Sequence, residues 1–203
     1  MYKICEIAKS LRRLKRFCII SNKLNIYYFS DILSDIERCQ QIIQEVGPQI
    51  LLEYDERGHT AIHWACLAGH NDILKYYIQC NAPLDKQSNN ELAPKPIHWA
   101  CVNGHIVTVD ILLQHGISIN TTDSRGCTPL ILATQYGQAT LVGYLIGKGA
   151  RKDFTDADGD NALHWAAFKG FLILTLFLAK AIIAIIFKYK FALIVIFYQF
   201  PPF

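Results

Sequence analysis

The chain has 203 residues, of which 52% are hydrophobic and 18% charged, and its formal net charge is +3. This length allows one or two domains, and the apolar content exceeds that of an ordinary soluble protein. Its seven cysteines are odd in number and show no CxxC spacing, which argues against a disulfide framework and a structural zinc site. We expect no nucleic-acid partner.

Residues 1–25 are predicted to form a basic N-terminal arm. Residues 1–30 contain seven Lys or Arg side chains and one acid, Glu6, so positive charge is concentrated there. A solvated arm is the simplest interpretation, and contact with anionic lipid headgroups or weak targeting is the alternative. The apolar run from Phe17 to Ile20 is too short for the core of a secretory signal.

From residue 62 onward, a four-residue phrase returns on a fixed period. It consists of an aliphatic residue followed by His, Trp and Ala, and it begins at Ile62, Ile97 and Leu163. The apolar residues Leu130 to Ala133 occupy the same frame. The corresponding positions His63, His98, Ile131 and His164 lie 35, 33 and 33 residues apart. This period predicts a helical solenoid, in which each unit buries its apolar face against its neighbours.

Glycine and aspartate positions keep the same period and outline each unit. An aspartate three residues before a glycine indicates a turn, because the carboxylate accepts backbone hydrogen bonds and glycine adopts positive φ. These pairs are Asp55 and Gly58, Asp123 and Gly126, and Asp156 and Gly159. A later glycine is predicted to end the first helix, at Gly69, Gly104, Gly137 and Gly170. Apolar residues at helical spacing then predict second helices over 73–78, 109–113 and 141–146.

The repeated phrases, together with Thr128-Pro129-Leu130, resemble ankyrin repeats, whose unit is a turn followed by two helices. The resemblance implies an all-α ankyrin-repeat solenoid over residues 26–170. We predict four units behind a degenerate N-terminal cap at about residues 26 to 50. The units are predicted at residues 55–88, 89–121, 122–154 and 155–187.

The Trp that follows the His in three of the repeats points to a narrower family within the ankyrin-repeat proteins. Three His-Trp-Ala phrases, with Lys75 to Ile78 in the first unit and Tyr144 to Gly149 in the third, resemble the amino-terminal ankyrin domain of DHHC-type palmitoyltransferases. Those Golgi and vesicle enzymes transfer fatty acyl groups to substrate cysteines. The resemblance implies that the ankyrin groove captures an extended, proline-containing segment of a substrate protein, and that Trp99 matches a tryptophan of the pocket. A polar partner expected in that pocket falls at Ala68, which departs from the family pattern.

Our candidate partner-binding residues are therefore Trp99, Trp64, Ala68 and His98. We expect an exposed Trp99 indole beside the concave groove, where an amphipathic ring makes a good anchor. The alternative is that Trp64, Trp99 and Trp165 simply pack between units. The histidines of the phrase are expected to make hydrogen bonds that tie one turn to the next and satisfy buried backbone groups.

No catalytic motif is present in the sequence. Palmitoyl transfer in the resembling family uses a zinc-bound, cysteine-rich domain whose DHHC motif supplies the thiol nucleophile. The chain has no adjacent His pair and no His-Cys dipeptide, and it has no phosphate loop, GxSxG or HExxH motif. We therefore predict no catalytic residue, no cofactor and no metal site, although the resembling family is an enzyme family.

The composition changes at Gly170. Residues 171–203 contain no acid and largely apolar side chains, which predicts a hydrophobic C-terminal helix. The run 171–187 falls short of the roughly 20 apolar residues that span a bilayer, and it has Lys180 near its middle. The tail is either a membrane segment, with membrane contact through residues 171–198, or an aberrant end of the sequence.

Three functional hypotheses follow. In the first, the chain is a partner-recruiting ankyrin module that forms part of, or derives from, a DHHC palmitoyltransferase, without its DHHC domain. It would hold substrate proteins near a membrane, with the ankyrin domain facing the cytosol, at the Golgi. In the second, it is a stand-alone ankyrin adaptor, which would be cytoplasmic. In the third, the full product is an active S-acyltransferase.

Overall fold

The computed structural model describes residues 36–55 and 57–180, and this part of the chain is helical, without strands. The predicted all-α fold is confirmed there. The predicted basic arm at residues 1–25, the first ten residues of the predicted cap and the tail beyond residue 180 lie outside the described residues.

The array begins with helix α1, Ile36–Val46, and a short 3-10 helix, Pro48–Leu52. Helix α1 is amphipathic and buries Cys39, Ile42 and Ile43, so one of its faces lies against the rest of the protein. The hydroxyl of Tyr77, in the following helix pair, donates to Cys39 Sγ across 3.8 Å. These contacts cover the end of the array and agree with a capping role.

Pairs of short helices follow, each with an inner helix and an outer helix. The first pair is α2, Ala61–Ala68, and α3, Asn71–Gln79; the second is α4, Pro96–Asn103, and α5, Ile106–Gln114. The third pair is α6, Pro129–Gln135, and α7, Ala139–Gly147. The fourth is α8, Ala162–Phe168, followed by helical residues 172–180. Inner helices pack in a row, with α2 against α4, α4 against α6 and α6 against α8.

The turns before the inner helices have the predicted chemistry. Oδ1 of Asp55 accepts hydrogen bonds from the amides of Arg57 and His59 at 2.9 and 2.7 Å. Gly58 has a φ of 78°, a conformation that favours glycine because it has no Cβ. The same pattern recurs at Asp123 and Asp156, so the turn prediction is confirmed in three units.

The glycines after the inner helices also allow neighbouring units to approach closely. Gly69 has a φ of 73°, and a Cβ there would lie 2.6 Å from the His105 ring of the next pair. That ring donates from Nε2 to the carbonyl of Leu67, at 2.9 Å. One pair along, Gln138 donates to the carbonyl of Val102 at 2.8 Å and would likewise obstruct a Cβ at position 104. Glycine is therefore needed here both for its conformation and for space.

The core is a continuous row of apolar side chains from the outer helices. One position of each pair is fully buried, and it is occupied in turn by Tyr77, Leu112, Leu145 and Leu178. Each of these side chains lies between the inner and outer layers, so the row joins the pairs into one core. Cys66 and Cys101 share another repeat position and are also fully buried, which fits the predicted small-residue slot.

Leu112→Ala and Leu145→Ala should each lower the free energy of unfolding by about 2 to 5 kcal/mol, because each leaves a cavity in a fully buried row. The measurement is denaturant unfolding of the purified chain. Val107→Ala is the matched control, since Val107 is 59% exposed on the same outer helix as Leu112. A loss at Leu112 no larger than that of the control would contradict the assigned register.

Candidate functional site

Two inner-helix histidines, His63 and His98, join the first three helix pairs. His63 Nδ1 accepts the amide of Thr60 at 3.2 Å, so Nε2 carries the proton and donates to the Pro94 carbonyl at 3.1 Å. His98 repeats this arrangement with the amide of Lys95 at 3.0 Å and the carbonyl of Thr121 at 3.2 Å. The predicted structural role of these two histidines is confirmed.

The same position differs in the last two pairs. Ile131 is buried, and its apolar side chain has no group that could bond a carbonyl. His164 is exposed, and its Nδ1 lies 3.4 Å from Asp160 Oδ1. No bond from His164 Nε2 to a following turn occurs within residues 36–55 and 57–180, so the expected tie is made by two of the three histidines.

Burial keeps the inner histidines neutral. It lowers the pKa of His63 to about 3 and that of His98 to about 4, and the hydrogen bond to the Pro94 or Thr121 carbonyl opposes this shift only in part. A neutral imidazole can accept at Nδ1 while it donates at Nε2, as both bonds require. Protonation of Nδ1 would therefore remove the bond that each ring accepts from the backbone amide.

Two of the three tryptophans of the phrase bond the aspartate of the preceding turn. Trp64 Nε1 donates to Asp55 Oδ2 at 2.8 Å, and Trp165 Nε1 donates to Asp156 Oδ2 at 2.7 Å. Each aspartate thus shapes its turn with one oxygen and holds an indole with the other. Sequence analysis missed this bond, although an aspartate nine residues before the tryptophan in both units was a readable signal.

Trp99 lacks this bond because Asn90 stands nine residues before it. Asn90 turns its amide elsewhere: its Nδ2 donates to the Arg57 carbonyl and to His59 Nε2, both at 3.4 Å. Trp99 Nε1 has no hydrogen-bond partner in the described part of the chain. Since no buried side-chain nitrogen in that part is left unpaired, this N–H reaches the surface and is free to donate.

Four rings meet between the first two inner helices, in what we call the aromatic cluster: His59, His63, Trp64 and Trp99. The Trp99 ring centroid lies 4.4 Å from that of His59 and 5.3 Å from that of Trp64, with ring planes 64° and 71° apart. These edge-to-face arrangements are favourable for aromatic pairs. The expectation of an exposed Trp99 indole was wrong: the residue is 7% exposed, and His59 and Trp64 pack against it.

His59 completes the cluster and was not identified from the sequence. Asn90 donates to its Nε2, so the other nitrogen, Nδ1, donates to Ser88 Oγ at 2.7 Å. Burial lowers the pKa of His59, and the nearby Asp55 carboxylate opposes that shift. His59 therefore presents a neutral ring to Trp99.

The remaining candidates lie around the cluster. Ala68 is exposed at the end of α2, one helical turn after Trp64 and so on the same side of the helix. His98 is fully buried, and its ring bonds the following turn instead of joining the cluster. The structure thus brings Trp64 and Trp99 together, with Ala68 beside them on the surface, and gives His98 a supporting place.

Comparison with known proteins agrees with this geometry. A family model described as ankyrin repeats in three copies matches residues 32–123 and 121–186, which is more than half of the chain. The chain belongs to the ankyrin-repeat family. In ankyrin proteins the concave surfaces of stacked units serve as extended binding surfaces, and the aromatic cluster lies on the inner helices of this array.

Over part of its length the ankyrin-repeat chain is similar to palmitoyltransferases. It is 33% identical over 133 residues to palmitoyltransferase ZDHHC13 of Homo sapiens, covering 66% of this chain and 21% of that protein. It is 29% identical over 152 residues to palmitoyltransferase AKR1 of Lachancea kluyveri, covering 72% and 20%. The predicted similarity to palmitoyltransferases over the ankyrin region is confirmed, and the chain spans about a fifth of the length of these relatives.

An ion channel shares a similar region. The chain is 36% identical over 136 residues to transient receptor potential cation channel subfamily A member 1 of Homo sapiens, covering 66% of this chain and 12% of the channel. Identity of this size therefore occurs with proteins of more than one kind.

Three of the described cysteines, Cys66, Cys101 and Cys127, are poorly suited to nucleophilic chemistry. Burial raises the pKa of the Cys66 and Cys101 thiols well above the usual range and that of Cys127 to about 12, so these groups stay protonated. Within residues 36–55 and 57–180, no three His, Cys, Asp or Glu side chains converge as metal ligands. In the same ranges, no helix is both long enough and apolar enough to cross a bilayer; most of the predicted tail lies beyond them.

The buried histidines predict a pH dependence of stability. His63 and His98 have folded-state pKa values of about 3 and 4, below the value near 6.5 of an unfolded histidine. The unfolded state therefore binds more protons below about pH 6.5, and stability falls as pH falls. Between about pH 6.5 and about pH 5 these two residues should remove about 3 kcal/mol, measured by urea unfolding at several pH values.

The double variant His63→Gln/His98→Gln is the test of this assignment. It should be less stable at neutral pH, but its stability should change less between pH 6.5 and 5. His164→Gln is the control, because His164 is exposed, and it should keep the pH slope of the unchanged chain. An equal slope in the double variant would show that other groups cause the dependence.

Proposed function

We propose that this ankyrin array binds an extended segment of a substrate protein and recruits it for S-palmitoylation, as part of, or derived from, a DHHC-type palmitoyltransferase. Support comes from the similarity to ZDHHC13 and AKR1 over the ankyrin region. Support also comes from the aromatic cluster, which gathers two tryptophans between neighbouring inner helices.

The observation that carries the proposal is the free N–H of Trp99. In the first and fourth units the indole N–H of the tryptophan donates to an aspartate. In the second unit Asn90 stands in place of that aspartate, and the indole N–H of Trp99 is left unbonded. A partner can use this donor without breaking an existing bond, so binding there avoids the cost of an unpaired acceptor inside the protein. Trp99 is thus the one tryptophan of the three phrases that is available for a polar contact.

An extended peptide suits this donor. A backbone carbonyl of the peptide would accept from Trp99 Nε1, and apolar side chains of the peptide would lie against the edges of the Trp64 and Trp99 rings. Ala68, exposed one turn beyond Trp64, offers no side-chain hydrogen bond, so recognition at that point would depend on shape. His98 would act by holding α4, and with it Trp99, in place.

A stand-alone ankyrin adaptor is the second candidate function. It is favoured by the similarity to the cation channel, because the name of that protein indicates no acyltransferase activity. Both candidates use the same groove, and the presence of a DHHC cysteine-rich domain in the full transcript separates them. A position at the Golgi membrane, with the array facing the cytosol, is part of the first proposal, and imaging of the tagged full-length product tests it.

Trp99→Ala should weaken binding of a selected peptide by about 2 kcal/mol or more, as at other aromatic hot spots. Trp99→Phe should weaken it by about 1 kcal/mol, because it keeps a ring but removes the N–H. The measurement is fluorescence anisotropy with extended peptides chosen from an array, after circular dichroism has shown that each variant is folded.

Trp165→Phe is the matched control, because that indole N–H is already bonded to Asp156 and the residue lies two units away. It should bind the peptide as the unchanged chain does. If folded Trp99→Phe and Trp99→Ala proteins bind the peptide as tightly as the unchanged chain, Trp99 has only a packing role.

The purified chain alone should not transfer acyl groups. The described cysteines with raised pKa values remain thiols, and the sequence lacks the DHHC motif. Incubation with palmitoyl-coenzyme A and an acceptor peptide, followed by mass spectrometry, should show no catalysed thioester formation. Turnover that disappears when one cysteine is replaced would contradict this expectation.

A further inference from the structure

The last described helix pair carries a set of exposed apolar side chains, which we call the end face. Ile173 is 83% exposed, Phe168 77%, Leu172 70% and Leu176 62%. Leu174 and Leu178, on the other side of the same helical segment, are buried in the core. The segment therefore has one apolar side that packs against the array and a second apolar side that does not.

Comparison with the other helix pairs shows which of these side chains a further repeat would cover. Phe168 holds the position of the buried Leu67, so a further repeat would cover it. Ile173 occupies the position that Asp72, Val107 and Thr140 hold in the first three pairs, and all three are exposed although another pair follows each of them. A fifth repeat would therefore leave Ile173 in contact with solvent. Exposure of Ile173 is a property of this position and not of the array's end.

At this position and the one three residues later, both side chains are large and apolar only in the fourth pair. The first pair carries Asp72 and Lys75 at the two positions where the fourth carries Ile173 and Leu176. In the first pair these charged side chains are 85% and 59% exposed, as expected for a solvated surface. Their replacement by Ile and Leu gives the fourth pair a surface that water solvates poorly.

The charged side chains within the fourth helix pair are lysines, whereas the acids of the preceding turn, Asp156 and Asp160, bond Trp165 and lie beside His164. From residue 161 to residue 180 the sequence has two lysines, Lys169 and Lys180, and no acid. Both lysines are exposed. Lys180 follows Leu176 by one helical turn, so it lies on the same side of the helix as Leu176 and Ile173.

Aromatic side chains extend this surface onto the inner helix. The rings of Trp165 and Phe168 meet edge to face, with centroids 5.7 Å apart. Trp165 is partly exposed, and Phe168 is largely so. Rings of this kind are enriched where proteins meet the boundary between lipid headgroups and acyl chains.

We propose that the end face docks on an anionic lipid surface. Leu172, Ile173 and Leu176 would enter the boundary between headgroups and acyl chains, while Lys169 and Lys180 contact acidic headgroups. This interaction lays the folded end of the array on the membrane and requires no transmembrane helix. It does not rest on the proposed peptide-binding function, since it uses a different surface.

The test is co-sedimentation of the full chain with vesicles of phosphatidylserine and phosphatidylcholine. Ile173→Asp/Leu176→Asp should lower the fraction bound by about tenfold or more, because it removes two inserted side chains and adds charges that anionic lipid repels. Val107→Asp is the matched control, at the position equivalent to Ile173 in the second pair. It should bind as the unchanged chain does.

Folding of the variants is checked independently. Ile173 and Leu176 are exposed, and the first pair already carries Asp at the position of Ile173, so helix content by circular dichroism should be unchanged. Lys169→Gln/Lys180→Gln should reduce binding and weaken its dependence on salt, whereas vesicles of phosphatidylcholine alone should bind poorly even to the unchanged chain.

Two results would overturn the proposal. One is equal vesicle binding by the Ile173→Asp/Leu176→Asp variant and the Val107→Asp control, which would place lipid contact elsewhere in the chain. The other is self-association of the unchanged chain in sedimentation velocity that the double aspartate variant abolishes while vesicle binding persists. That result would assign the end face to a second copy of the chain.

Discussion

The structure depends on hydrogen bonds that cross from one helix pair to the next. His63 and His98 each accept an amide at the start of their own helix and donate to a carbonyl of the following turn. Because the rings are buried and neutral, neither bond is replaced by water. The His63 bond ties α2 to the turn before α4, and Trp64 and Trp99 meet edge to face between these helices; the His98 bond ties α4 to the turn before α6.

Much of the fold could be read from the sequence because its signals are local and recur. Asp55 and Gly58 specify a turn within four residues, Gly69 ends a helix, and His63 satisfies the amide three residues before it. Each signal needs only neighbouring atoms, and repetition at a fixed period reinforces it. The turns, the inner helices and the two structural histidines were therefore predictable.

The environment of Trp99 could not be read in this way. Its burial depends on His59, which comes from the preceding unit, and the freedom of its N–H depends on how Asn90 directs its amide. Both are contacts across a unit boundary. The repeat pattern in the sequence gives the spacing of the units but not the side-chain conformations of His59 and Asn90. The sequence did contain one usable clue, since Asn90 occupies the place where two other units have aspartate.

Ile131 divides this array unequally. It interrupts the series of histidine bonds. The turns of the third and fourth pairs remain joined by the Ala157 amide bonded to the Arg125 carbonyl at 2.8 Å and by an exposed Arg125–Asp158 ion pair. In a linear array, stability is a sum of unit and interface terms, and opening begins at the weakest interface. We therefore expect the fourth pair to open before the first three, so that its amide protons exchange sooner than those around the aromatic cluster.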